Sequence, residues 1–235
     1  MQFSVRDVAS ILKVPEGTVY RWVNEDNLPA TETNGQYRFN RAELLEWATV
    51  RRLDISPEIF AGTPVGSGAH LELTDALEAG GIVYGLGGRD KPSVLREVVA
   101  ALPLPDEFDR ESLLELFLAR EATGSTGVGD GIAIPHPRHP VVLPVGRPCL
   151  SLDFLAHPVD FGAADQEAVH TLFVLISPTT RVHLQMLARI ACLLRDEGFR
   201  DLLKRRRSRE EILAETRRIE SAFDRTPAVR AGHAR

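Results

Sequence analysis

The sequence has 235 residues, 43% of them hydrophobic, enough for one sizeable core with a smaller module beside it. A formal net charge of -5 excludes indiscriminate nucleic-acid binding. The two cysteines, Cys149 and Cys192, form neither a metal-ligand spacing nor a disulfide framework, as suits a reducing compartment. No basic start followed by an apolar core opens the chain, and no run approaches the ~18–20 apolar residues that span a bilayer. A soluble, cytoplasmic protein without membrane insertion is expected.

Residues 1–55 are helix-periodic and carry both tryptophans, Trp22 and Trp47. Ser4 caps a first helix over residues 4–12, and Lys13 to Gly17 form a turn. Thr18 to Asn24 read as a second helix. Thr33-Asn34-Gly35, between Leu28-Pro29-Ala30 and Gln36-Tyr37-Arg38-Phe39, is an Asn-Gly hairpin signal. Asn40 then caps a third helix packed through residues such as Leu44, Leu45 and Trp47. Residues 56–70, with Ser56-Pro57 and Gly62-Thr63-Pro64-Val65-Gly66-Ser67-Gly68, have the composition of a linker.

Helix-like and strand-like segments alternate over residues 71–220, as in an α/β domain whose mixed sheet is flanked by helices. Lys91–Leu102 and Asp109–Glu121 are amphipathic, the second with Asp109 as its cap. Ile132–Ile134, Cys149–Leu155 and His170–Ile176 are the candidate strands, β-branched and leucine-rich as a covered sheet requires. Ser177-Pro178-Thr179-Thr180 provides a turn and cap for a helix running to about Arg195. Ser208 and Glu211 fit a capping box for the last helix. Residues 221–235 lack periodicity and read as a frayed tail.

The chemistry gathers around Gly131-Ile132-Ala133-Ile134-Pro135-His136, an apolar strand-like run that delivers an imidazole at a sheet edge. Thr123-Gly124-Ser125-Thr126-Gly127-Val128-Gly129 precedes it. Its backbone N–H groups and hydroxyls can hold an anion, or can simply make a tight turn. It is no nucleotide P-loop, because no Gly-Lys-Ser/Thr follows at the required spacing. A histidine accepts a phosphoryl group through a neutral nitrogen lone pair, which an ordinary pKa of about 6.5 keeps populated. Arg120 is a permanently charged fork suited to phosphate, or a helix C-terminal cation complementing the dipole. His139 lies three residues from His136, but prolines bracket both and no ligand set is completed, so neither a metal nor a cofactor is implied. His70, His157, His170 and His233 belong to no constellation. Lys204-Arg205-Arg206-Arg207, with Arg209, reads first as a solvated face between helices, and otherwise as a supplement to DNA contact or a site for an acidic partner.

Two resemblances follow. The helix, turn, helix and wing of the first 55 residues resemble the excisionase/MerR-like winged helix-turn-helix class. That resemblance implies DNA contacts from Thr18, Tyr20, Arg21 and Arg38. Residues 1–60 hold seven Lys/Arg against nine Asp/Glu, however, so an isolated module would bind DNA weakly. A docking or dimerisation module is the other reading, and a homodimer would present two modules to DNA. Arg120-Glu121-Ala122 with Gly124 to Gly129, Gly131 to His136, and Val182-His183-Leu184-Gln185-Met186-Leu187, in that order, resemble the fructose/mannitol-type enzyme IIA of the bacterial phosphotransferase system, nitrogen-regulatory members included. The resemblance implies a phosphotransferase component with His136 as phosphoacceptor and Arg120 and His183 as its partners. Ser125 and Thr126 would cradle the phosphate. The donor would be the phosphocarrier HPr or its nitrogen-branch counterpart, and the target a separate IIB acceptor or a regulated protein. A degenerate IIA domain serving only as a binding surface is the alternative.

Overall fold

The computed structural model describes residues 2–26, 28–33, 35–51, 53, 72–106, 108–137 and 147–224. The expected linker at 56–70 lies outside them, as do His139 and residues 225–235. Ser4 ends β1 (Gln2–Ser4) and caps α1 (Val5–Ile11). Its hydroxyl accepts from the Asp7 N–H while the Asp7 carboxylate accepts from the Ser4 N–H, a closed capping box. α2 (Glu16–Glu25) starts at Glu16, two residues before the expected Thr18, because Pro15 supplies an extended entry. The hairpin β2 (Thr31–Thr33) and β3 (Gln36–Asn40) joins β1 in a small antiparallel sheet of order β1-β3-β2, followed by α3 (Arg41–Val50).

After α4 (Leu73–Gly80) and β4 (Ile82–Leu86) come α5 (Lys91–Ala101) and α6 (Arg110–Ala122), capped by Asp90 and Asp109. β5 (Gly127–Gly129), β6 (Ile132–Ala133), β7 (Cys149–Val159) and β8 (Val169–Ile176) complete a five-stranded sheet of order β4-β7-β8-β6-β5. β4–β7 and β6–β8 pair parallel and the other pairs antiparallel, the mixed sheet expected. The chain ends its described part in α7 (Thr180–Arg195), α8 (Glu197–Lys204) and α9 (Arg209–Asp224). Residues 221–224, expected to fray, therefore continue α9.

The period of two along the strands sorts the core onto two faces. Leu150, Leu152, Phe154, Phe173 and Leu175 pack with residues of α4, α7, α8 and α9. Leu155, Leu172, Val174 and Ile176 pack with α5 and α6. The first of these cores runs without a break into the N-terminal module, taking in Phe39, Leu44, Leu45 and Trp47. The junction is α3, which lies against α7 and β5.

Candidate functional site

The site forms where the end of α6, the glycine-led hairpin and the start of α7 converge. β6 stops at Ala133, one residue earlier than expected, and the chain continues extended. The Ile134 N–H donates to the Thr126 carbonyl (3.0 Å) and the Pro135 carbonyl accepts from the Leu175 N–H (3.0 Å). These two bonds hold His136 just past the C-terminal end of β6, which lies between β8 and β5 and not at the sheet edge expected from the sequence. Gly131, at φ +68°, makes the turn into β6 in the left-handed region that favours glycine. On the other side, the Thr179 hydroxyl caps α7 by accepting from the Val182 N–H (3.2 Å), which puts His183 in the first turn.

The His136 and His183 rings lie 5.0 Å apart, centroid to centroid, tilted by 50°. His136 Nδ1 is 2.7 Å from the Ile134 carbonyl oxygen. A carbonyl only accepts, so Nδ1 carries the proton and the neutral ring keeps its lone pair on Nε2. Arg120 Nε donates to that Nε2 at 3.3 Å, and its Nη1 donates to the Gly124 carbonyl at 2.9 Å. Arg120 thus sits in the last turn of α6, where a cation complements the helix dipole, with its guanidinium against His136 Nε2.

The structure brings Arg120, His136, His183 and Thr126 together, all buried. Thr126 gives both its N–H (3.0 Å) and its hydroxyl to Glu121 Oε1. Ser125 is half-buried, and its hydroxyl accepts from the Gly127 N–H at 3.0 Å. Of the residues implied for DNA, Tyr20 and Arg21 are exposed on α2 and Thr18 is half-buried. The Arg38 guanidinium, on β3, donates to Gln36 Oε1 at 2.8 Å. The basic run lies between α8 and α9. There Arg205 pairs with Asp201 and Arg207 with Glu211, while Arg206 donates to the Leu155 carbonyl. Among the described residues no group of three His, Cys, Asp or Glu is placed to hold a metal ion.

Residues 76–217, more than half of the chain, match the family described as phosphoenolpyruvate-dependent sugar phosphotransferase system, EIIA 2. The chain belongs to this family. Residues 3–52 match a helix-turn-helix domain. A nitrogen regulatory protein of Pseudomonas aeruginosa is 38% identical over 138 residues, covering 57% of this chain and 87% of that protein. The fructose-specific EIIABC component of Bacillus subtilis is 29% identical over 146 residues, 61% of this chain but 22% of its own length. Among solved structures, the nitrogen regulatory protein IIA-Ntr of Neisseria meningitidis superposes with a TM-score of 0.54 at 29% identity, over 61% of this chain and 98% of that one.

Two features of this EIIA 2 site were not read from the sequence. Glu121, next to Arg120 in the motif, ties Thr126 to α5 through an ion pair with Lys91 Nζ (3.0 Å), which also donates to the Phe161 carbonyl (2.8 Å). The adjacency of Glu121 to Arg120 was the available signal. The second is Thr49. It belongs to the helix-turn-helix module, yet lines the same cleft as Arg120, Thr126 and His136. Nothing in the local sequence marks it. Among the described residues no helix is long and apolar enough to cross a membrane.

Proposed function

We propose that this chain accepts a phosphoryl group on His136 Nε2 from a phosphohistidine donor, HPr or its nitrogen-branch counterpart, and that the modification regulates its helix-turn-helix module or a partner protein. The observation that carries this reading is the fixed polarity of the His136 ring. Nδ1–H is tied to the Ile134 carbonyl, and the Nε2 lone pair faces the Arg120 guanidinium. In the transfer, that lone pair forms the new N–P bond while the donor's N–P bond breaks and its electron pair stays on the donor nitrogen. Charge on the phosphoryl oxygens falls beside Arg120, with His183 next to the reacting ring. The Ile134 carbonyl stabilises the proton that His136 keeps. Thr126 would join the cradle by turning its hydroxyl away from Glu121, and Ser125 by releasing Gly127. A separate IIB chain or a regulated protein would take the group onward.

The experiment is label transfer from phosphoenolpyruvate through either phosphocarrier branch to the purified full chain. Wild type should acquire an acid-labile, base-stable label, which His136→Ala abolishes and His139→Ala leaves intact. The burial of His136, at 3% exposure, favours a second reading: a IIA domain retained as a binding surface without transfer. Failure of wild type to take label from both branches would establish that reading instead. For the module, Thr18, Tyr20, Arg21 and Arg38 are proposed to face DNA, supported by the exposure of Tyr20 and Arg21 on α2.

A further inference from the structure

Transfer between two proteins requires both imidazoles to reach one phosphorus, so a phosphoacceptor site has to open onto a surface. Here it is closed: His136 and His183 are each 3% exposed, and Arg120 is buried. The cover belongs to the same chain. α3 lies against α7 and β5, and Thr49 of α3 lines the cleft together with Arg120, His136, Ile134 and Leu187. The space left in the cleft is about 10 Å³, roughly what one water molecule needs. A phosphoryl group on Nε2 does not fit there, nor does a donor imidazole.

We propose that α3 is a removable cover over the phosphorylation site, so that seating of the helix-turn-helix module and phosphorylation of His136 exclude one another. This rests on the reading of His136 as phosphoacceptor. A phosphoryl group on Nε2 would find Arg120 and Thr126 beside it but would also press on Val128, Ile134, Leu187 and Thr49 of α3, so the cover has to leave. By reciprocity, whatever holds α3 down disfavours the phosphorylated state, and phosphorylation favours release of the module. The contact is built to be left. The Thr49 hydroxyl is buried in it, 4% exposed, with no hydrogen-bond partner among the described residues. The face of α2 that carries Tyr20 and Arg21 points elsewhere and stays exposed while the cover is on. Release therefore changes where the module can go relative to the IIA domain, and leaves its reading face as it was.

The test uses the full chain with two substitutions that push in opposite directions. Thr49→Glu puts a charge into the closed contact and should unseat α3. Thr49→Val keeps the shape, removes the unpaired hydroxyl and should seat it more firmly. Two rates are measured: carbethoxylation of His136 by diethylpyrocarbonate, resolved by peptide mass spectrometry, and labelling by the phospho-donor. Solution scattering follows the radius of gyration. Thr49→Glu should speed both rates roughly tenfold or more, as expected when an open form below ~10% becomes dominant. Thr49→Val should slow both, and phosphorylation of wild type should expand the molecule as Thr49→Glu does. The Trp22–Trp47 pair, 5.1 Å apart, reports by fluorescence that the module is still folded. Equal carbethoxylation in all three proteins, or phosphorylation without expansion, overturns the cover. Fast carbethoxylation of Thr49→Glu with no label from either donor overturns the phosphoacceptor reading instead.

Discussion

At the scale of single residues, burial sets the chemistry of this domain as much as its motifs do. Asp153 sits inside β7, accepts a hydrogen bond from the Ser151 hydroxyl at 2.5 Å, and is almost wholly buried. Burial pushes its carboxyl up to about 7, against the opposite pull of the Ser151 bond. Below about pH 4 the carboxyl is protonated in folded and unfolded chains alike. Between about pH 4 and 7 only the unfolded chain gives up the proton, so this residue's contribution to stability falls as pH rises. Asp153→Asn removes the titration. The variant should gain on wild type by up to about 4 kcal/mol between pH 4 and 7, read as the difference between their urea-unfolding free energies. A gap that stays constant across that window would mean Asp153 ionises normally in the fold. The same burial pushes the Cys149 thiol up to about 11, which makes it an inert core side chain.

At the scale of elements, the site depends on how helices begin. Thr179 fixes the first turn of α7 and with it His183, so Thr179→Ala should cost about 1 kcal/mol of stability and slow labelling of His136. Thermal unfolding and initial labelling rates check the two halves of that statement. Elements whose signals are local were legible in the sequence: the Ser4, Asp109, Thr179 and Ser208 caps, and the apolar run Leu172–Ile176 of β8. Those whose signals are distant were not. α4 takes its cap from Glu220, 147 residues from Leu73 along the chain, whose carboxylate accepts from the Leu73 and Thr74 N–H groups and pairs with Arg189. β5 has three residues, two of them glycine, and no periodicity to read. β4 is broken by Gly85 at φ +74°, and its Tyr84 is exposed, so its pattern matches neither face of a sheet. In the site, motif order pointed to Arg120, His136 and His183. Thr49 was out of reach, because a threonine between Ala48 and Val50 looks like any core position until two parts of the chain dock.

At the scale of the whole molecule, one core joins the helix-turn-helix module to the EIIA 2 domain, and the join lies over His136. The module's excess of acidic residues limits its hold on DNA phosphates, so binding should be weak and steeply salt-dependent. A gel shift on the promoter region of its own gene should appear at low salt and weaken with Arg21→Ala. Absence of any shift at low salt would assign the module to protein docking alone. Phosphorylation at His136 is read out by long-range proton–nitrogen spectra of the full chain, labelled in its histidine rings. After incubation with the phospho-donor, only the His136 ring should show phosphorus coupling, at Nε2, with its Nδ1 still protonated. A phosphoryl group on any other histidine, or on His136 Nδ1, would rule out His136 Nε2 as the acceptor.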